Sequence, residues 1–110
     1  MADKKGVVTG EKLNLANLAG YQDGAVVSRT VIDKPVGTVT AFAFDAGEGL
    51  SEHRSPYDAL VQVLDGEAEI TIEGTVHTVG AGEIIVMPAD RPHSLRAAKR
   101  FKMLLVMIRA

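Results

Sequence analysis

Three histidines, at positions 53, 77 and 93, are the side chains of this chain most suited to chemistry near neutral pH. Two of them sit in matching surroundings. His53 lies within GEGLSEHRSPYDALVQVLDG, Gly47 to Gly66, where Pro56 and an apolar run from Ala59 to Leu64 follow it. His93 closes GEIIVMPADRPH, where an apolar run from Ile84 to Met87 is stopped by Pro88. Each histidine therefore adjoins a strand-like run and a proline-marked turn. That pattern predicts two imidazoles at one edge of a β-structure. Such a pair can hydrogen-bond a ligand, carry a proton or donate to a metal. Other chemistries have less behind them. A Ser-His-Asp set drawn from Ser51 or Ser55, His53 and Asp58 has no supporting spacing. Cysteine is absent, which removes disulfides, thiolate nucleophiles and Cys-ligated zinc. No glycine-rich phosphate loop follows a strand and opens a helix.

The elements that must position these residues are short strands. Ala25 to Ile32 is β-branched. In Gly37 to Phe44, Thr38, Thr40, Phe42 and Phe44 alternate with Val39, Ala41 and Ala43. Asp45 to Ser51 reads as a loop. After Ala59 to Leu64, Asp65-Gly66 carries the signal of a tight two-residue hairpin. Glu67 to Ile72 alternates with Ala68, Ile70 and Ile72 inward. Glu73-Gly74 predicts a further hairpin into Thr75 to Val79, and Gly80-Ala81-Gly82 turns again. Ile84 to Met87, His93 to Ala97 and Phe101 to Ile108 complete about eight or nine strands, the spacing of a sandwich or barrel. His77 lies in an alternating strand and reads as structural. Gln62 interrupts an apolar run and reads as facing solvent or an interface. Lys12 to Gly20 fits either a helical turn or a short edge strand.

A chain of 110 residues fits one domain, with residues 1–24 as an N-terminal arm and 25–110 as the barrel. Met1 to Glu11 is small and polar, and reads as a mobile lead-in. The net charge of −2 gives no global reason to bind nucleic acid or an anionic membrane. Arg91, Arg96, Lys99, Arg100, Lys102 and Arg109 lack interleaved aromatics, so they read as a solvated face. No apolar run reaches the length of a membrane span, and no hydrophobic signal core follows the N-terminus. These features, with the lack of cysteine, point to the cytoplasm.

The two histidine stretches resemble the paired motifs of the cupin superfamily, in its small single-domain, conserved-barrel form. In the first motif Gly47 leads through five residues to His53, Ser55 stands at the second histidine position, Ala59 at the glutamate and Gly66 at the closing glycine. In the second, Gly82, Pro88 and His93 match, while Asp90 replaces a glycine and Ala97 an asparagine. The resemblance covers roughly Val26 to Ile108 and implies an all-β fold, a single jelly-roll barrel. It also implies a pocket at the barrel mouth lined by His53, Ser55, Tyr57, Asp58, Ala59 and His93. Cupin metal sites resemble three histidines and one glutamate. Here only His53 and His93 remain as metal ligands, so weak affinity for Fe, Mn, Ni or Zn is expected.

The leading expectation is a small-molecule-binding barrel. The alternative is a metal-dependent enzyme of dioxygenase or isomerase type, using His53, His93 and Asp58. Two histidines and one carboxylate suit Fe(II) or Mn(II). Simple alternation turns Asp58 away from the His53 side. A bulge near Pro56 would bring it back, and the plainer role is capping the strand entrance. Tyr57 either reaches over the mouth as a lid or packs against its neighbours. The last strand, FKMLLVMI, is apolar on both faces. Leu104, Val106 and Ile108 then need a cover, which predicts a homodimer.

Overall fold

Alternation along Gly37 to Phe44 sends Phe42 and Phe44 to one side and Ala41 and Ala43 to the other. In the computed structural model, which describes residues 3–4 and 9–109, these two sets enter different clusters. Nine strands are present among the described residues: β1 (Asp3–Lys4), β2 (Val26–Lys34), β3 (Gly37–Phe44), β4 (Gly49–His53), β5 (Tyr57–Ile72), β6 (Thr75–Gly80), β7 (Ile84–Met87), β8 (His93–Arg96) and β9 (Phe101–Arg109). They pair in the order β1-β2-β3-β9-β5-β8-β4, with β6 and β7 also on β5. All partners are antiparallel except β1, which runs parallel to β2. The fold is all-β, a single jelly-roll barrel, as expected.

Strand β5 makes the barrel. Its first half pairs with β7 and β9, and its second half with β6 and β8. One long strand thus serves both sides of the core, where Phe44, Val61, Val63, Ile70, Phe101 and Met103 are fully buried. Phe44 stacks on its cross-strand partner Phe101 with ring centroids 4.5 Å apart.

The Asp65-Gly66 hairpin expected from sequence is corrected by this continuity. β5 runs straight through both residues, and its register against β9 shifts between Val63 and Asp65. Gly66 does take a positive φ of 73°, but Asp65 does not, so no two-residue turn forms. The glycine instead serves a bulge that bends β5 from one side of the barrel to the other. Glu73 and Gly74, at φ 49° and 83°, do form the expected hairpin. A second correction concerns Asp45 to Ser51, whose last residues belong to β4 rather than a loop.

Residues 9–24 cross the outer face of the barrel. Lys12 to Gly20 contains a single 3₁₀ turn, Leu15–Asn17, whose Asn14 side chain accepts from the Ala16 N–H. Ala19 then packs with Ala41 and Ala43, beside Leu18, Tyr21, Val27 and Leu104. Tyr21 donates its hydroxyl to Asp65, and Arg100 bridges Asp23 and Asp45. The lead-in expected over Met1 to Glu11 lies largely outside the described residues. No helix among the described residues is long and apolar enough to cross a membrane.

Candidate functional site

The mouth of the barrel is built where β4 meets β8. Leu50 pairs with Leu95, yet three residues later His53 pairs with His93, two residues before Leu95. β4 therefore carries one extra residue, a bulge, between the two pairs. Without it Glu52 would stand opposite His93. With it, Leu50 and His53 both point inward although strict alternation forbids that for residues three apart.

Backbone carbonyls fix both rings. His53 Nδ1 lies 2.8 Å from the Ser51 carbonyl oxygen, and His93 Nδ1 lies 3.1 Å from that of Arg91. A carbonyl oxygen can only accept, so each Nδ1 carries the proton and donates it. Both Nε2 atoms are then turned toward each other, 3.2 Å apart, with the rings inclined at 72°. A single proton between them makes an N–H···N bond. With none, two lone pairs face each other. His93 is only 3% exposed. Burial first, then the neighbouring His53, lowers its pKa from the ordinary value, against the opposing effect of the Arg91 carbonyl.

Behind the pair lies a cavity of about 40 Å³. Its polar lining is His53, Ser55 and His93. Leu50, Ala59, Leu95 and Leu105 supply hydrocarbon, and Met87, Met103 and Met107 supply thioethers. Ala59 is flanked across the sheet by Met87 on β7 and Met107 on β9. The Ser55 hydroxyl accepts from the Tyr57 N–H at 3.1 Å. A separate open groove of about 820 Å³, lined by Glu52, Arg54, Glu73, Asp90 and Arg91 among others, runs outside. It is larger, and neither histidine lines it.

Four of the six sequence-derived pocket residues, His53, Ser55, Ala59 and His93, thus share one cavity. Tyr57 and Asp58 do not line it. The Tyr57 ring lies 6.0 Å from the Arg109 guanidinium carbon at the rim. Asp58 is the clearer correction. Its carboxylate accepts from the Ala89 N–H at 2.9 Å and holds the turn that follows β7. β5 keeps its alternation here, so Asp58 points opposite to Ala59, and no bulge reverses it. His77 stands across from Ile70 on β6, away from the cavity. Gln62 lies on the outer face, opposite Ile84 and Leu104. The C-terminal cations are dispersed: Arg91 pairs with Glu73, Arg96 with Glu69, and Lys102 donates to the Ala16 carbonyl. Sequence reasoning missed the three methionines, whose convergence depends on cross-strand register.

Comparison with known families matches residues 41–109 to the description "Cupin domain". The chain belongs to the cupin family. Among solved structures this cupin is similar to a conserved protein of unknown function from Streptococcus pyogenes. The two share 35% identity and a TM-score of 0.91, over 100% of this chain and 96% of that one. It is also similar to a cupin 2 conserved barrel domain protein from Leptotrichia buccalis, at 41% identity and TM-score 0.86, covering 88% of this chain and 47% of that one. A salicylate 1,2-dioxygenase variant from Pseudoaminobacter salicylatoxidans shares the fold alone, at 17% identity and TM-score 0.69, over 76% of this chain and 26% of that one. A comparison with curated proteins gave no match.

The family's metal site can be tested against the side chains present. Its second histidine is Ser55 here, whose hydroxyl is engaged by Tyr57, and its glutamate is Ala59. Among the described residues no group of three or more His, Cys, Asp or Glu could hold a metal ion. Two imidazoles without a carboxylate do not fit a hard divalent ion.

Proposed function

We propose that this chain is a small-molecule-binding cupin whose recognition element is the His53–His93 pair. The observation that carries this is the two Nε2 atoms, 3.2 Å apart, at the mouth of a cavity whose remaining walls are mostly apolar. With both Nδ1 atoms committed to carbonyls, the Nε2 atoms are free to recognise a ligand. They accept from a hydroxyl or amine when neutral. When they share one proton, they attract a carboxylate. The space behind them is small, about 40 Å³. It takes the small end of a ligand, and the bulk stays in the mouth.

The enzyme alternative rested on Asp58 completing a ligand set, and that carboxylate is bonded to Ala89 on the other side of β5. Catalysis of dioxygenase or isomerase type therefore has less support than binding. We place its work in the cytoplasm, a compartment with which a chain free of cysteine is compatible. We also infer a homodimer. Ile32, Val39, Val106, Leu60 and Val86 follow one another across β2, β3, β9, β5 and β7 in register, all on the outer face. Ile32 and Val86 are 49% and 50% exposed. The row is free of charge, so a two-fold copy can pack on it without burying an ion. Among the described residues, Leu18, Ala19 and Tyr21 of the N-terminal segment cover the neighbouring patch around Leu104.

The binding reading is tested with a panel of small carboxylates and alcohols, watching histidine side-chain nitrogens in long-range proton–nitrogen spectra. Ligands should move the Nε2 signals of His53 and His93 together, and His53→Ala should abolish the response. Ligands that shift only His77, or none that shift either pocket histidine, would end the proposal.

A further inference from the structure

The cavity's donors are unlike those of the family site, and the difference has a direction. Position 59, where the family places a carboxylate, is a methyl group, and the strands on either side bring Met87 and Met107 against it. Met103 lines the same space. Every methionine among the described residues therefore faces one cavity, together with two imidazole nitrogens. No carboxylate lines it.

We propose that this cavity is a binding site for a soft monovalent cation, Cu(I) in a reducing compartment, held by His53 and His93 Nε2 and completed by methionine thioether sulfur. The inference rests on the preceding reading that the histidine pair is the binding element, and it names a ligand class for it. Three arguments support it. First, the geometry of the nitrogens suits one shared ion. Two metal–imidazole bonds of about 2.0 Å, the length found at zinc, hold their nitrogens about 3.3 Å apart at a tetrahedral angle, so the pair suits an ion whose remaining positions the thioethers fill. The observed separation is 3.2 Å. The Nδ1–carbonyl bonds supply the outer contacts that ligating imidazoles need to stay oriented.

Second, the donor set selects by softness. Thioethers prefer Cu(I) and similar ions, whereas carboxylate, carbonyl and water suit Mg, Ca and Mn. Third, charge decides between soft and hard candidates. All these donors are neutral, and the walls are largely hydrocarbon. A dication there would find no carboxylate to balance its charge and hydrocarbon on the inner side, a larger penalty than for a monocation. The cavity of about 40 Å³ has room for an ion and little else.

The test uses the full chain without a polyhistidine tag and Ag(I), a redox-inert soft cation, as the probe, with anaerobic Cu(I) in parallel. Native mass spectrometry should give one Ag(I) per chain. Nuclear resonance should show the ε-methyl of at least one of Met87, Met103 and Met107 moving with both histidine Nε2 signals. Met87→Leu and Met107→Leu conserve volume, and at least one should weaken Ag(I) about tenfold or more while leaving Zn(II) binding unchanged. Zn(II) bound as tightly as Ag(I) would overturn the proposal. So would Ag(I) shifting the histidines with no methionine methyl responding, or no Ag(I) bound. The wild-type methyl shifts decide the matter even if a leucine variant fails to fold. If organic ligands move the histidine signals and Ag(I) does not, this inference fails alone. If neither does, the binding reading fails with it.

Discussion

Gly66→Ala should be among the most damaging single-methyl additions in this protein, and the reason can be separated into two parts. Gly66 has φ 73°, a conformation that L side chains rarely adopt. A Cβ at this position would also overlap the carbonyl of Arg100. That carbonyl cannot move freely. The Arg100 side chain is anchored to Asp23 and Asp45 at 2.6 and 2.7 Å, and Phe101 beside it is fully buried. The left-handed conformation alone costs about 1–2 kcal/mol. Forcing a methyl into a fixed backbone adds about 1–3 kcal/mol. Gly74→Ala provides the control. Gly74 has φ 83° in the β5–β6 hairpin, but nothing lies within 4 Å of its would-be Cβ. It should lose only the conformational part. At about 4–8 °C per kcal/mol for a small domain, Gly66→Ala should lower Tm by at least about 10 °C, and Gly74→Ala by roughly half as much. Thermal and urea unfolding, followed by circular dichroism, measure both. Equal losses would refute the close approach of β5 to Arg100, and no loss at Gly66 would refute the bulge itself.

Two further outcomes are expected. Val86→Asp with Val106→Asp places charge on the apolar row without touching the Leu104 patch that Ala19 and Tyr21 already flank. Light scattering should show a dimer for the wild-type chain and a monomer or aggregate for the variant, and a wild-type monomer at tens of micromolar would contradict the dimer. The Asp45 carboxyl has its pKa lowered, first by the Gly24 N–H and then by Arg100. Its folded pKa lies below its unfolded one. Its contribution is therefore present above the ordinary aspartate value of about 3.9 and is lost as pH falls below it. Asp45→Asn should destabilise at neutral pH and flatten the acid limb of the stability curve, whereas parallel curves for the two proteins would show that Asp45 is not favoured in its charged form.

The sequence was readable wherever structure is decided locally. Glu73-Gly74 encodes its own turn, and the alternation of Glu67 to Ile72 assigns its faces without knowledge of any partner. Asp65-Gly66 carries the same local signal, yet β9 and the β6–β8 side hold β5 extended through it, and no feature of those two residues reports that. Motif spacing placed His53 and His93 at the mouth. It could not show the extra residue in β4 that turns His53, rather than Glu52, toward His93. Alternation alone gave the orientation of Asp58. The three methionines sat in plain view as core-type residues. The placing of Met87 and Met107 on either side of Ala59, with Met103 on the same cavity, needed the register of β5 against β7 and β9, a property of pairs of strands.

The most direct test of the histidine pair is the tautomeric state of its members in the ligand-free protein, read from long-range proton–nitrogen couplings in histidine-labelled chain. His53 and His93 should both show a protonated Nδ1, with the Nε2 resonances of the two rings coupled and moving together. Either ring found with its proton solely on Nε2 and its Nδ1 free, independent of the other, would contradict the facing pair on which the binding site is built.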